Sequence, residues 1–162
     1  MTQTITPFRA AREQTAGRPR RRNDVMECEF VVEGAVGTTV SDVDARRVRH
    51  MRTIVGDQLR GPGLSGLRET AEVVVSELVT NAIVYGGGTV KLSLLVTRAE
   101  VRLLVRDSGI GSPLQGEPAL DAESGRGLLI VELLAAELGG GWGFTPESRT
   151  SWCALPIRQA GS

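Results

Sequence analysis

The chain has 162 residues, a length that favours one domain able to bury a real core. Its 41% apolar and 23% charged residues are ordinary for a soluble globular protein, and nineteen basic residues balance nineteen acidic ones, which gives no reason to expect nucleic-acid binding. No run approaches the roughly 18 apolar residues of a membrane span, and the N-terminal stretch lacks the apolar core of a secretory signal, so a cytoplasmic protein that does not engage membranes is expected.

Residues 1–24 are rich in Arg, Thr, Gly and Pro and nearly devoid of large apolar side chains. Such a stretch buries too little surface to offset its ordering entropy and is expected to be a disordered tail. Its basic knot of Arg18, Arg20, Arg21 and Arg22 offers at most an electrostatic contact to an acidic partner. The folded domain is expected over residues 25–162. Cys28 to Val32 reads as a strand, with Gly34 and Gly37 following. Ser41 then begins a helix as N-cap, with Asp42 and Asp44 in its first turn. Val43, Arg47, Val48, Met51, Ile54, Val55 and Leu59 recur at helical spacing, and Gly61, Pro62 and Gly63 stop the run.

A second helix is predicted from about Gly66 to Tyr85, with an apolar stripe of Leu67, Ala71, Val74, Leu78 and Ala82 and a stop at Gly86, Gly87 and Gly88. Residues 89–97 and 101–107 read as an antiparallel hairpin. Residues 108–124 hold Gly, Ser, Pro and Glu without periodicity, and a loop of that length in a small domain suits a lid. A third helix is predicted from about Gly127 to Leu138, followed by two closing strands with a turn at Pro146 and Glu147. The order β-α-α-β-β-α-β-β predicts an α+β, two-layer sandwich: a mixed, mostly antiparallel sheet with helices on one face. Cys28 and Cys153 lack metal-ligand spacing and are expected to be reduced thiols buried in strands. Trp142 and Trp152 are expected to pack on strands.

Three short stretches carry chemistry. Glu77 and Asn81 stand four apart on the second predicted helix and so share a face beside the apolar stripe. A carboxylate bordering a core is costly without a partner. The asparagine oxygen suits a hard cation such as Mg²⁺, and the glutamate can accept a proton from a nearby hydroxyl. Asp107 ends a strand and opens the sequence DSGIG. Its carboxylate can accept an exocyclic amine such as that of adenine, while Gly109 and Gly111 permit a tight turn and close approach of a ligand. Gly125, Arg126 and Gly127 open the third helix, where free N–H groups and the helix dipole bind phosphate, and where Arg126 adds a cation. Each stretch alone is compatible with an ordinary helix face, turn or cap; together they fall in order on the element types a nucleotide site needs.

ELVTNAIVYG, DSGIG and SGRGLLIV resemble the N box and the two glycine boxes of the GHKL (Bergerat-fold) ATP-binding superfamily. The phrase SELVTNA, the single-domain size and the closing RTSWCALP are most similar to the SpoIIAB/RsbW-type anti-sigma-factor serine kinases, over roughly residues 28–157. The resemblance implies ATP and Mg²⁺ as cofactors. It implies Asn81 as the metal ligand, Glu77 as base or orienting carboxylate, and Asp107 as the partner of the adenine amino group. Gly109 and Gly111 would shape the pocket, Gly125, Arg126, Gly127 and Leu128 would cover the phosphates, and Thr150 would stand near the adenine. Tyr85 occupies the position four after Asn81 where the family often has histidine, which puts a phosphate contact from that position in question.

The function implied is an ATP-dependent serine/threonine protein kinase. It would phosphorylate an anti-anti-sigma (STAS-type) partner and hold a sigma factor in the alternative state, as a homodimer. Two other readings stand beside it. One is a binding module that sequesters a sigma or anti-anti-sigma factor without kinase activity, with ATP as a structural ligand or none. The other is a detached sensor-kinase ATP domain acting on a histidine in trans. His50, the sole histidine, lies on the first predicted helix and lacks the dimerising hairpin a phosphoacceptor needs.

Overall fold

A computed structural model describes residues 24–34, 40–61, 63–109 and 123–158. The tail, Gly37, Gly111 and most of the expected lid lie outside the described residues. Five strands form one sheet: β1 (Asp24–Val31), β2 (Thr89–Val96), β3 (Glu100–Asp107), β4 (Gly141–Thr145) and β5 (Thr150–Pro156). Their spatial order is β1-β2-β3-β5-β4. All four pairings are antiparallel, so the mixed pairing allowed for in the sequence is not used among the described residues. Three helices complete the architecture: α1 (Asp42–Gln58), α2 (Arg68–Tyr85) and α3 (Glu123–Glu137). A 3-10 turn, Ser65–Leu67, leads into α2, and another, Pro146–Ser148, joins β4 to β5. The two-layer α+β sandwich and the element order are those expected.

The middle helix, α2, packs against α1 on one flank, α3 on the other, and β2, β3 and β5 beneath. That setting explains why its buried face is wider than the predicted stripe. Val75, Val79 and Ile83 are buried along with Ala71, Val74, Leu78 and Ala82, because the helix is covered on three sides. Opposite them, Val90, Leu92, Leu94, Val101, Leu103, Val105, Cys153 and Leu155 face the helices in the main core. Period-two alternation sends Leu95, Leu104, Val25 and Trp152 to the other face, where they form a small cluster with the Arg102 guanidinium over the Trp152 ring. Trp142 packs against the main core. Both thiols are free, Cys28 half-buried in β1 and Cys153 buried in β5, and burial pushes the Cys153 thiol up to about 12.

Two boundaries differ from expectation. β1 begins at Asp24, inside the expected tail, since its first residues pair with Leu94, Leu95 and Val96 of β2. α3 begins at Glu123, four residues before the predicted start, so Gly125 and Gly127 lie within its first turns and do not precede it. Pairing and packing override the weak helix propensity of the two glycines.

Ser41 caps α1 as expected, its Oγ accepting from the Asp44 amide at 3.1 Å. Asp44 has a second role that local pattern does not reveal. Its carboxylate is fully buried and accepts from the backbone N–H groups of Glu33 at 3.1 Å and Gly34 at 2.9 Å. One side chain therefore satisfies the donors where β1 exits and ties that strand to the first turn of α1. Asp44→Ala leaves two donors with lost partners and is expected to cost about 2–3 kcal/mol in urea unfolding. Ser41→Ala, which removes only the cap, is expected to cost about 1 kcal/mol.

Candidate functional site

The three sequence motifs meet where α2 runs between α3 and the end of β3. Glu77 and Asn81 lie one turn apart on α2 and are both half-buried. The Glu77 carboxylate fills the space that a β-carbon on Gly127 of α3 would take. This contact joins the first and third motifs, and a β-carbon at position 127 would force the carboxylate to shift. Burial pushes the Glu77 carboxyl above its ordinary range, and the positive charge of Arg52 on α1 partly opposes that rise.

Asn81 brings a second unusual group. Its Oδ1 is buried and has no hydrogen-bond partner. A buried acceptor left without a donor is costly, and a cation would satisfy it. Among the described residues no cluster of three His, Cys or carboxylate side chains could hold a metal. A single amide oxygen nevertheless fits Mg²⁺, which takes one or two protein oxygens together with waters and substrate phosphates.

The second motif arrives from the sheet. Asp107 is the last residue of β3 and is only 8% exposed. Its carboxylate packs against Gly86 at the C-terminus of α2, again in space that a β-carbon would occupy. The turn after it is fixed by the Ser108 amide donating to the Thr89 carbonyl at 3.0 Å and the Thr89 amide donating to Ser108 Oγ at 2.8 Å. Gly109 has φ of +68°, which supports the expectation that this turn needs glycine. Gly111 lies outside the described residues.

The remaining expected residues divide. Arg126 is exposed in the first turns of α3, free to meet an anion. Gly125 lies in the same turn, and Leu128 is a core side chain, 2% exposed. Tyr85 ends α2, half-buried. Thr150 is buried, but its hydroxyl donates to the Ser148 carbonyl at 3.1 Å, and strand alternation places it with Trp152 on the face away from the helices. Its neighbour Ser151, opposite Val105 in the register, shares the helix side with Asp107. Of the adjacent hydroxyls, Ser151 is the one on the side where Glu77 and Asn81 stand.

Arg149 opens the RTSWCALP stretch, but no sequence pattern gave it a role. Its Nε donates to Asp107 Oδ1 at 2.5 Å, across a separation of 42 residues that no local motif spans. A recess of about 430 Å³ lies beside this pair, lined also by Glu29, Lys91, Arg106 and Glu147. It reaches Asp107 and Arg149 but not Glu77 or Asn81, so it opens toward the outer face of the sheet.

An α+β sandwich in which a Glu–Asn helix, a strand-ending aspartate and a glycine-opened helix converge defines a nucleotide-binding domain. The family described as the histidine kinase-like ATPase domain matches residues 41–142, more than half of the chain, and includes all three motifs. The chain belongs to this ATP-binding family of the GHKL type, which includes the SpoIIAB/RsbW-like anti-sigma kinases. No curated protein matches the chain. Among the described residues no helix is long and apolar enough to cross a membrane.

The Glu77–Gly127 contact yields a test. Gly127→Ala is expected to destabilise the protein by about 1–3 kcal/mol, because the added methyl meets the carboxylate in a packed place. Most of that cost should vanish in a Glu77→Ala background, a coupling of about 1–2 kcal/mol in a double-mutant cycle read by chemical denaturation.

Proposed function

We propose that this protein is a Mg–ATP-dependent serine/threonine protein kinase that phosphorylates an anti-anti-sigma (STAS-type) partner and thereby controls a sigma factor. The observation that carries the reading is the pair on α2: an orphaned buried oxygen on Asn81, one turn from the half-buried Glu77 carboxylate that is pressed against Gly127. Family membership supplies the nucleotide, and the SELVTNA phrase favours the anti-sigma branch.

Asn81 would offer its Oδ1 to Mg²⁺, and the metal when bound would neutralise charge on the phosphates. Asp107 would accept an N–H from the base. Arg126 and the free N–H groups at the start of α3 would hold the phosphates. Glu77 would take the proton of the attacking serine hydroxyl as its oxygen bonds to the γ-phosphorus and the bond to the ADP oxygen breaks. Residues 25–162 would form the kinase domain, with the preceding arginine-rich segment as a separate tail, and cytoplasmic homodimers fit this role.

Thermal stabilisation by Mg–ATP and transfer of labelled phosphate to the co-purified partner test the reading. Asn81→Ala should abolish both. Glu77→Gln should retain ATP binding and slow transfer at least about 100-fold, the usual contribution of a positioned base. Stabilisation by ATP without any transfer would instead identify a binding module, and an acid-labile product would identify a histidine acceptor.

The raised pKa of Glu77 gives a pH signature. A base acts only when ionised, so the transfer rate should climb with pH through the Glu77 titration, above the ordinary glutamate range. Arg52 lowers that pKa, so Arg52→Ala is expected to move the ascending limb of the pH–rate profile to higher pH.

A further inference from the structure

Arg149 is held in an unusual state by several independent contacts. It is the only described residue other than glycine with positive φ, at 49°, a left-handed conformation that disfavours side chains. Its amide donates to the Pro146 carbonyl at 3.2 Å, and its own carbonyl accepts from the Asp107 amide at 3.3 Å, which fixes the turn beside the end of β3. From there the side chain reaches Asp107 Oδ1 and lies over Gly109, filling the space a β-carbon on that glycine would take. The guanidinium thus presents an N–H to the one buried carboxylate of the β3 terminus.

We propose that Arg149 is a built-in competitor for the base-recognising carboxylate: its guanidinium occupies Asp107 in the free protein, and a nucleotide base binds only by displacing it. This rests on the reading of Asp107 as the partner of the base. A guanidinium edge and an aminopurine edge offer the same chemistry to a carboxylate, an N–H donor in a plane, and the Arg149 guanidinium already holds Oδ1 and lies over Gly109, where a base approaching Asp107 would meet it. The displaced side chain has somewhere to go. The adjoining recess is lined by the carboxylates of Glu29 and Glu147 together with the cations Lys91 and Arg106, and among the described residues neither glutamate is in an ion pair, so it offers a displaced guanidinium both room and two carboxylates. Asp107 on one side and this recess on the other give one long side chain two positions. Nucleotide affinity is then reduced by the fraction of molecules in which Arg149 sits on Asp107.

The test uses the full chain and calorimetric titration with Mg–ATP, beside thermal melts with and without nucleotide. Arg149→Gly suits the left-handed backbone and keeps the amide and carbonyl contacts of the turn, while Arg149→Gln keeps the length and removes the charge. Both variants are expected to bind ATP about tenfold more tightly than wild type, and to show a lower melting temperature without nucleotide but a larger rise on adding it. A purely structural arginine would lower the melting temperature and leave the dissociation constant unchanged. An arginine that holds the nucleotide would weaken binding when removed. Either result with wild type still binding overturns the competitor role alone. Absence of binding by wild type and both variants overturns the ATP reading, and the competitor role with it.

Discussion

The carboxylate of Glu77 and a β-carbon at position 127 cannot occupy the same space, and the fold resolves this by having no β-carbon there. The same device recurs at the C-terminus of α2, where the Asp107 carboxylate fills the place of a side chain at Gly86. These two close approaches set how near α2 lies to α3 and to the end of β3. Everything proposed for the site follows from that distance. With bulkier residues at either position a carboxylate or the helix would have to shift, and the close packing around Glu77 and around Asp107 would be lost.

That enclosure is unfavourable for the polar groups it contains. Among the described residues Asn81 Oδ1 has no donor, and Glu77 has lost water with only the charge of Arg52 partly offsetting it. Because burial raises the Glu77 pKa, the folded state holds that proton more tightly than the unfolded chain. Any stability the group lends is therefore present below its unfolded pKa and lost as pH rises through the folded one. In its ionised form the carboxylate is a local cost, offset by the wide apolar face of α2 buried on three sides. A ligand that engages Asn81 would relieve the orphaned acceptor, so occupancy and stability are expected to rise together.

Much of this was legible from the chain because it is written locally. The N-cap at Ser41, the stripe of α2, the 89–96 and 100–107 hairpin and the positive φ at Gly109 each follow from residues within a few positions of one another. The helix and turn positions of Glu77, Asn81 and Asp107 followed the same way. What stayed hidden depends on contacts between distant segments. Asp44 reaches back to Glu33 and Gly34, 11 and 10 residues earlier, Arg149 reaches Asp107 across 42 residues, and the face taken by Thr150 or Ser151 is decided by a register that only the pairing with β3 sets. The early start of α3 was missed because two glycines read as a boundary, whereas packing against α2 and β4 carries the helix through them.

The sheet order places β2 and β3 between neighbours on both sides, β1 on one and β5 with β4 on the other. The family match, residues 41–142, contains β2 and β3 but neither β1 nor β5. A fragment trimmed to that match would strip the central hairpin of both flanking strands and remove Phe30, Cys153 and Leu155 from beneath the helices. Two bare edges would then be open to pairing between molecules, a state prone to aggregation. Expression work on this domain must therefore carry the chain from Asp24 through Pro156, well beyond the region by which its ancestry is recognised.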